Sequence, residues 1–580
     1  MDVAGAGEPR VEDTWAAAAR SVVASAARRA GTAGGGAAGV PSAPAEFGDA
    51  PRREARPRGI DSPDLPAHSE QMFRTDVQDA GKEIEPFDVA VIGGGPAGMA
   101  TALRLQAAGL STVVLEAHGH VGGCAGYYRK RGFSFDVGAT TLVDFAPGGV
   151  GFELLESVGM SPLDARELPG YVAHLPDREV VLYRDPTLWR AERLRNLGDT
   201  DRHRRFWSLL DRLAETFWRA SRAGVRLPIR GPADALHDLR AVGVTGVPLA
   251  RYSTWTLGDA LRRHRLRDDA ALVGLLGMLV EDTVHAAVDD APLINAALGV
   301  TIRGAGLSRH AGGMRGFWRA LVAHYRGLGG QLRTGGAVWR VDGETGAYRV
   351  ATRRGAVHAR RIVCAVPAAT TAAICAGLPV AGRLRAYLER DADALGGACV
   401  VFLGVPDGET AGQELTHHQF LHSYDQPLGD GNNMFLSVSE PGDTLSAPPG
   451  HRAVMISTHT ELAGWAGLDN AAYEQRKKWI GELLVTCARR AYPSLGERAV
   501  IAQTGTPRSY ERFGFRPAGA VGGVRQNPRN TNQHAVPHDL GGRGLWLVGD
   551  STWPGLGTVA CVLGSRIVAE GMLRERGFGR

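Results

Sequence analysis

Runs and spacings of apolar residues divide the chain from residue 87 onward into a legible series of elements. Val89–Ile92 is a short apolar run of the kind that forms a buried strand; a Gly-rich turn, a helix and a second strand ending at Glu116 follow it. From 151 to 304 apolar positions recur at helical spacing, as in FWSLLDRLAETFW and ALVGLLGMLVEDTVHAA, which predicts a mainly helical lobe too large to be a loop. Across 311–367 the pattern returns to a helix (AGGMRGFWRALVAHYRGLGG) and short strands (GAVWRVDG, YRVAT, RIVCAVP). Strands such as VVFLGV, MFLSVS and AVMIST then alternate with helices to about residue 539. A last buried strand, LWLVGD, runs into a Gly-rich turn and a helix. This order predicts an α/β protein. Segments 87–150, 305–375 and 540–580 form one discontinuous doubly wound domain, and 151–304 with 376–539 form a second domain of mixed sheet and helical lobe.

Composition changes the picture mainly at the N-terminus. Residues 1–86 are rich in Ala, Gly, Pro and Arg, with GGGAAG at 34–39 and PRREARPRG at 51–59, and such a stretch buries too little apolar surface to offset the entropy of ordering. The expectation is a disordered tail, broken by an alanine-rich helix capped by Asp13 or Thr14 and reaching about Arg29, with Met72 as the expected natural start. A net charge of +5, with arginines scattered rather than gathered, argues against a nucleic-acid partner. Six cysteines (Cys124, Cys364, Cys375, Cys399, Cys487, Cys561) without CxxC or metal-ligand spacing predict reduced thiols, no disulfide and no metal. No apolar run approaches the roughly 20 residues of a membrane span, and the N-terminus lacks the pattern of a secretory signal. A cytoplasmic protein, or one on the cytoplasmic face of a membrane, is the expectation.

The chemistry begins at Gly93, Gly95 and Gly98, in GxGxxG register directly after the first strand. Such glycines permit a tight turn and close approach of backbone to a pyrophosphate seated at the helix N-terminus. Glu116 lies 18 residues beyond Gly98, at the end of the second strand, where a carboxylate holds adenosine ribose hydroxyls. Two further features select FAD among the dinucleotides. Gly122 and Gly123 supply an extra turn after the acid. Near the C-terminus Gly549 and Asp550 end a strand, placing Asp550 to bind a ribityl hydroxyl, and the turn through Gly557 leads into a helix whose positive N-terminus favours an anionic reduced flavin.

Four stretches, GGCAGYYRKRGFSFDVGATTL (122–142), AGGM (311–314), TPRSYERF (506–513) and GDSTWPGLG (549–557), resemble the carotenoid isomerase and carotenoid desaturase family of flavoproteins, with retinol saturases as relatives. The resemblance covers nearly everything after the tail. It implies an FAD-dependent oxidoreductase acting on a long apolar polyene, by desaturation or isomerisation, a Val338 that meets the adenine through its backbone, and peripheral contact with a membrane. Cys124 and TVACVLGS depart from the family's usual wording and bear on the substrate. Asp144, Glu281, Asp282, His285, His417 and His418 are candidates for an acid or base, and Cys124 for tuning the ring, but no catalytic residue is assigned. Competing readings are a flavin amine oxidase-like enzyme on another substrate and a catalytically inactive flavin-binding protein.

Overall fold

The structure, a computed structural model, describes residues 86–577, so the tail with its expected helix and Met72 lies outside the described residues. The first domain is built on a seven-stranded sheet. Its parallel part runs Gln331–Arg333, Thr112–Leu115, Phe87–Ile92, Gly355–Cys364, Leu545–Leu547, and Ala347–Thr352 and Val338–Glu344 extend it as an antiparallel arm. Val89 to Ile92 are buried because helices cover both faces, which is why the strand reads as a continuous apolar run. Helices Pro96–Ala107, Gly313–Gly327 and Thr558–Gly577 cover one face with Met99, Leu103, Trp318 and Met572; Ala368–Ile374 and Pro379–Arg390 cover the other with Ile374, Val380 and Leu384.

The second domain is an eight-stranded sheet ordered Ile501–Gly505, Leu395–Pro406, His451–Thr460, Asn433–Val438, His417–Leu421, Gly170–His174, Glu179–Tyr183, with Val521–Val524 pairing at one end of Leu395–Pro406. Two of these strands come from the segment expected to be mainly helical. GYVAH and EVVLY, with a tight Pro-Asp turn between them, form a hairpin that pairs in parallel with His417–Leu421, and Ala165–Glu167 joins a separate small sheet. The hairpin is too short to register in a pattern dominated by the flanking helices. Helices Asp201–Arg222, Ala270–Val284 and Leu293–Val300 form the lobe around Phe206, Leu210, Leu275 and Leu279. One face of the eight-stranded sheet packs on helix Asn470–Ala488 through Leu436, Ile456, Ile480 and Leu484; the other faces the lobe and the hairpin of strands Tyr127–Lys130 and Phe133–Asp136.

The chain re-enters the first domain at a buried ionic junction. Asp136 accepts 2.5 and 2.8 Å hydrogen bonds from Arg309 Nη1 and from the Met314 backbone N–H at the start of its helix. Gly312 and Gly313 hold left-handed backbone there, and a Cβ on Gly313 would lie 2.6 Å from the Asp136 carboxylate, so the AGGM and FDVG stretches specify one contact. Removing one member of a buried ion pair leaves the other charge uncompensated, at a cost of about 3–5 kcal/mol. Asp136→Ala is therefore expected to lower unfolding free energy by that amount in chemical denaturation, and a second change, Arg309→Met, is expected to recover part of the loss; no recovery would contradict this account.

Candidate functional site

Three Gly-rich turns converge at the carboxyl ends of the parallel strands. Gly122 donates its N–H to the Gly94 carbonyl at 2.9 Å, so the second turn is hydrogen-bonded to the first. A Cβ on Gly98 would sit 2.0 Å from the Gly93 carbonyl oxygen, so that glycine is required for helix and strand to pack. Gly95 is different: a Cβ there meets only Gly123 Cα, at 4.0 Å, and on Gly549 only the Ala97 Cβ, at 3.9 Å, while on Gly557 nothing lies within 4 Å. The three turns thus border an open cradle, which is the fit expected for an extended dinucleotide.

Glu116 closes one end of the cradle. Its carboxylate accepts hydrogen bonds from Gly94 N–H at 2.7 Å and His118 N–H at 2.8 Å. Burial raises its pKa, and those donors oppose the rise. Each oxygen keeps lone-pair capacity for ribose hydroxyls. Gly335 and Gly336 donate to the carbonyls of His118 and Glu116, which brings the start of the strand that holds buried Val338 beside the acid. Asp550, at the opposite end, pairs with Arg516 Nη2 at 2.8 Å. Burial opposes the Arg516 charge, but the Asp550 carboxylate outweighs it and raises the arginine's pKa. Arg516 lies just past TPRSYERF and was not singled out from sequence, because that stretch gave no sign that it would reach the C-terminal turn. Cys124, in the turn Gly123–Ala125, is half-buried and free.

The candidate acid–base residues separate into two groups. Asp144 is structural: it accepts from Val150 N–H and Arg222 Nη2. His418 faces away from the lobe, between His174 and the Tyr492 hydroxyl at 3.1 Å each. Glu281, Asp282 and His285, by contrast, occupy the end of helix Ala270–Val284 and meet His459, a residue the sequence did not flag. His459 Nδ1 lies 3.6 Å from Glu281 Oε1, and its ring centroid is 4.6 Å from that of His285. Asp282 accepts from Gln419 Nε2; burial raises its pKa, opposed by His459 and Arg303. His417 lies on the same sheet face as Gln419, stacked on Tyr171.

This helix end is tied to the cradle. Val284 accepts from Gln526 N–H at 3.1 Å, Gln526 Nε2 donates to the Pro554 carbonyl at 2.9 Å, and a Cβ on Gly523 would lie 2.4 Å from the Asp550 carbonyl oxygen. Asn295 and Asn532 extend the network to Trp553. Among the described residues no group of His, Cys, Asp and Glu could hold a metal ion, and no helix is long and apolar enough to cross a membrane.

A family model described as flavin containing amine oxidoreductase matches residues 96–573. The chain is 24% identical over 528 residues to a chloroplastic prolycopene isomerase of an Oncidium hybrid cultivar, covering 86% of each protein. It is 50% identical over 54 residues to a lycopene-forming phytoene desaturase of Pseudescherichia vulneris, 9% of this chain and 11% of that one. A putrescine oxidase structure superposes with a TM-score of 0.55 at 15% identity, over 84% of this chain and 99% of its own.

Two outcomes follow. Gly95→Ala is expected to keep a wild-type melting temperature without flavin yet bind FAD at least ten-fold more weakly by fluorescence titration, whereas Gly98→Ala is expected to lose both; equal behaviour would refute the cradle. Burial pushes the His418 pKa down to about 3. Between that value and the ordinary value near 6.5, the unfolded chain binds a proton that the folded chain does not, so stability falls as pH drops below about 6.5, by up to ~1.4 kcal/mol per unit. Denaturant unfolding of His418→Gln from pH 6.5 to 4.5 is expected to show a slope shallower by up to that amount.

Proposed function

This chain belongs to the flavin containing amine oxidoreductase family and is an FAD-dependent oxidoreductase, and we propose that it acts on a long apolar polyene, with isomerisation as the first reading and desaturation as the second. The observation that carries the proposal is the likeness over 86% of the chain to a prolycopene isomerase, against a likeness to the desaturase confined to 54 residues. When bound, FAD supplies the redox chemistry, through a hydride acceptor in desaturation or a reduced ring in isomerisation. The residues that would hold it are the backbone of Gly93–Gly98 and Gly122–Gly123, Glu116, the strand beginning at Val338, and Gly549, Asp550 and Gly557.

The protein's part is orientation, exclusion of water and placement of a proton. Gln419 fixes the Asp282 carboxyl by donating to it, and burial favours the protonated form. A neutral carboxyl there can lend a proton to a carbon of a conjugated chain and recover it, as isomerisation without net redox change requires. Glu281 and His459, paired at the same helix end, both act electrostatically on this carboxyl, His459 favouring and Glu281 opposing its charged form. Peripheral attachment to the membrane that dissolves such a substrate belongs to the same proposal, and co-sedimentation with liposomes tests it.

Expression in a host that accumulates carotenoids, with pigments separated by chromatography, is expected to shift cis/trans ratios. New double bonds would select desaturation, and unchanged pigments would reject the polyene reading. Asp282→Asn is expected to lower turnover about 10²-fold or more while FAD content stays unchanged; full activity in that variant would remove Asp282 from the mechanism.

A further inference from the structure

On the lobe-facing side of the eight-stranded sheet, buried polar side chains gather around Tyr171. The Arg303 guanidinium lies over its ring, Cζ 4.9 Å from the centroid, and His417 stacks on it at 4.9 Å and 12°. Arg303 is only 6% exposed. Its Nη2 donates to Gln419 Oε1 at 2.9 Å, but its Nε and Nη1 are buried with no hydrogen-bond partner among the described residues. Arg309 Nε and His417 Nε2 are buried and unpartnered in the same way, although Arg309 Nη1 is engaged by Asp136 and His417 Nδ1 by Thr416.

These four orphaned atoms share a chemistry. Three are obligate N–H donors, and the fourth is a donor in one tautomer of His417. Arg303 also has no carboxylate within ion-pair distance among the described residues; Asp282 reaches it only through Gln419. A buried guanidinium with unused donors and no counter-charge is costly unless something outside the chain completes it. What is missing is an acceptor, and an anionic one answers both deficits at once. A way in exists: Arg303 lines an open cleft of about 580 Å³ in the lobe, whose walls include Leu182, Trp189, Trp218 and Val300. Those apolar and aromatic side chains can meet a hydrocarbon chain, while Arg184, Arg190, Arg193, Arg219 and Arg222, with Asp211 and Glu215, make the rest of the lining charged and favour an anionic end.

We propose that Arg303, assisted by Arg309 and His417, binds a carboxylate at the end of the substrate, so that within the polyene class an acid is preferred over the corresponding alcohol or hydrocarbon. The proposal rests on the polyene reading above and sharpens it. Planar guanidinium donors match a carboxylate in bidentate fashion.

The test titrates the FAD-loaded enzyme at pH 7 with all-trans-retinoic acid, all-trans-retinol and stearate, following tryptophan and flavin fluorescence. Retinoic acid is expected to bind at least ten-fold more tightly than retinol. Arg303→Gln is expected to abolish that preference while FAD content and retinol affinity are retained. If Arg303→Gln fails to retain FAD, Arg303→Lys carries the test, because an ammonium cannot present two parallel N–H groups, and the preference is expected to fall at least three-fold. Equal affinity for the acid and the alcohol in the wild type, or an undiminished preference in whichever variant carries the test, overturns the carboxylate site and leaves the polyene reading standing. Arg303-dependent binding of stearate without binding of either retinoid keeps the carboxylate site and overturns the polyene reading. No binding of any of the three overturns both.

Discussion

The buried Asp136 carboxylate is the constraint on which the arrangement of the two domains depends. It lies at the end of strand Phe133–Asp136, yet its partners come from more than 170 positions later, Arg309 on strand Leu307–His310 and Met314 at the start of helix Gly313–Gly327. Between them the chain has made the whole lobe. Burial alone would push this carboxyl toward its neutral form; the Arg309 guanidinium and the Met314 N–H oppose that. Charge-assisted bonds of this geometry hold direction as well as energy, so the helix can leave the junction in only one orientation. Trp318, one turn further on, then donates its indole N–H to the Ala125 carbonyl at 2.7 Å. The junction therefore fixes the turn after Gly122, which is one wall of the flavin cradle.

The other wall is set from the far side of the molecule. Gln526 donates its backbone N–H to Val284, while its side-chain amide accepts from Asn295 and donates to the Pro554 carbonyl, so it joins the end of a lobe helix to the C-terminal Gly turn. The same helix end carries Glu281, Asp282 and His285. Movement of the lobe would thus carry the acid–base cluster and the cradle rim together, and their separation is held by short, local hydrogen bonds and not by the distant domain interface.

Much of this was legible in the sequence where the signal is local. The glycines at 93, 95 and 98 stand between an apolar strand and a helix in the chain itself, and the strand and helix of the last segment announce themselves in the same way. The hairpin Gly170–Tyr183 was missed because its two five-residue strands gain their stability from pairing with His417–Leu421, some 245 residues away, and periodicity cannot report a partner at that distance. Arg516, His459 and Arg303 were missed for a related reason. Each is an ordinary polar residue in its own neighbourhood; the packing of sheet on lobe gives His459 and Arg303 their charged or aromatic partners, and Arg516 finds Asp550 only where the C-terminal Gly turn comes back to it. Asp282 and His285 were visible as candidates because they interrupt an apolar helix, but Asp144 and His418 interrupt apolar stretches equally well and turn out to satisfy structural hydrogen bonds.

The polarity around Tyr171 also bears on how such a site can choose one bond of a polyene. Apolar burial is non-directional and proportional to area, so a smooth hydrocarbon groove holds a conjugated chain almost equally well at several registers along its length. Sliding by one repeat exposes as much surface at one end as it buries at the other. Choice of register then requires a contact that does not repeat, and a few placed polar groups in an otherwise apolar pocket are the usual means. The lobe supplies apolar area through Leu182, Trp189, Trp218 and Val300, set among charged side chains of the same cleft. Arg303, Arg309 and His417 supply the singular part, at a fixed distance along the sheet from Asp282 because Gln419 contacts both Arg303 and Asp282. The same residue that orients the acid therefore also sets the ruler against which the chain is measured, and a change at Gln419 would disturb position and protonation together.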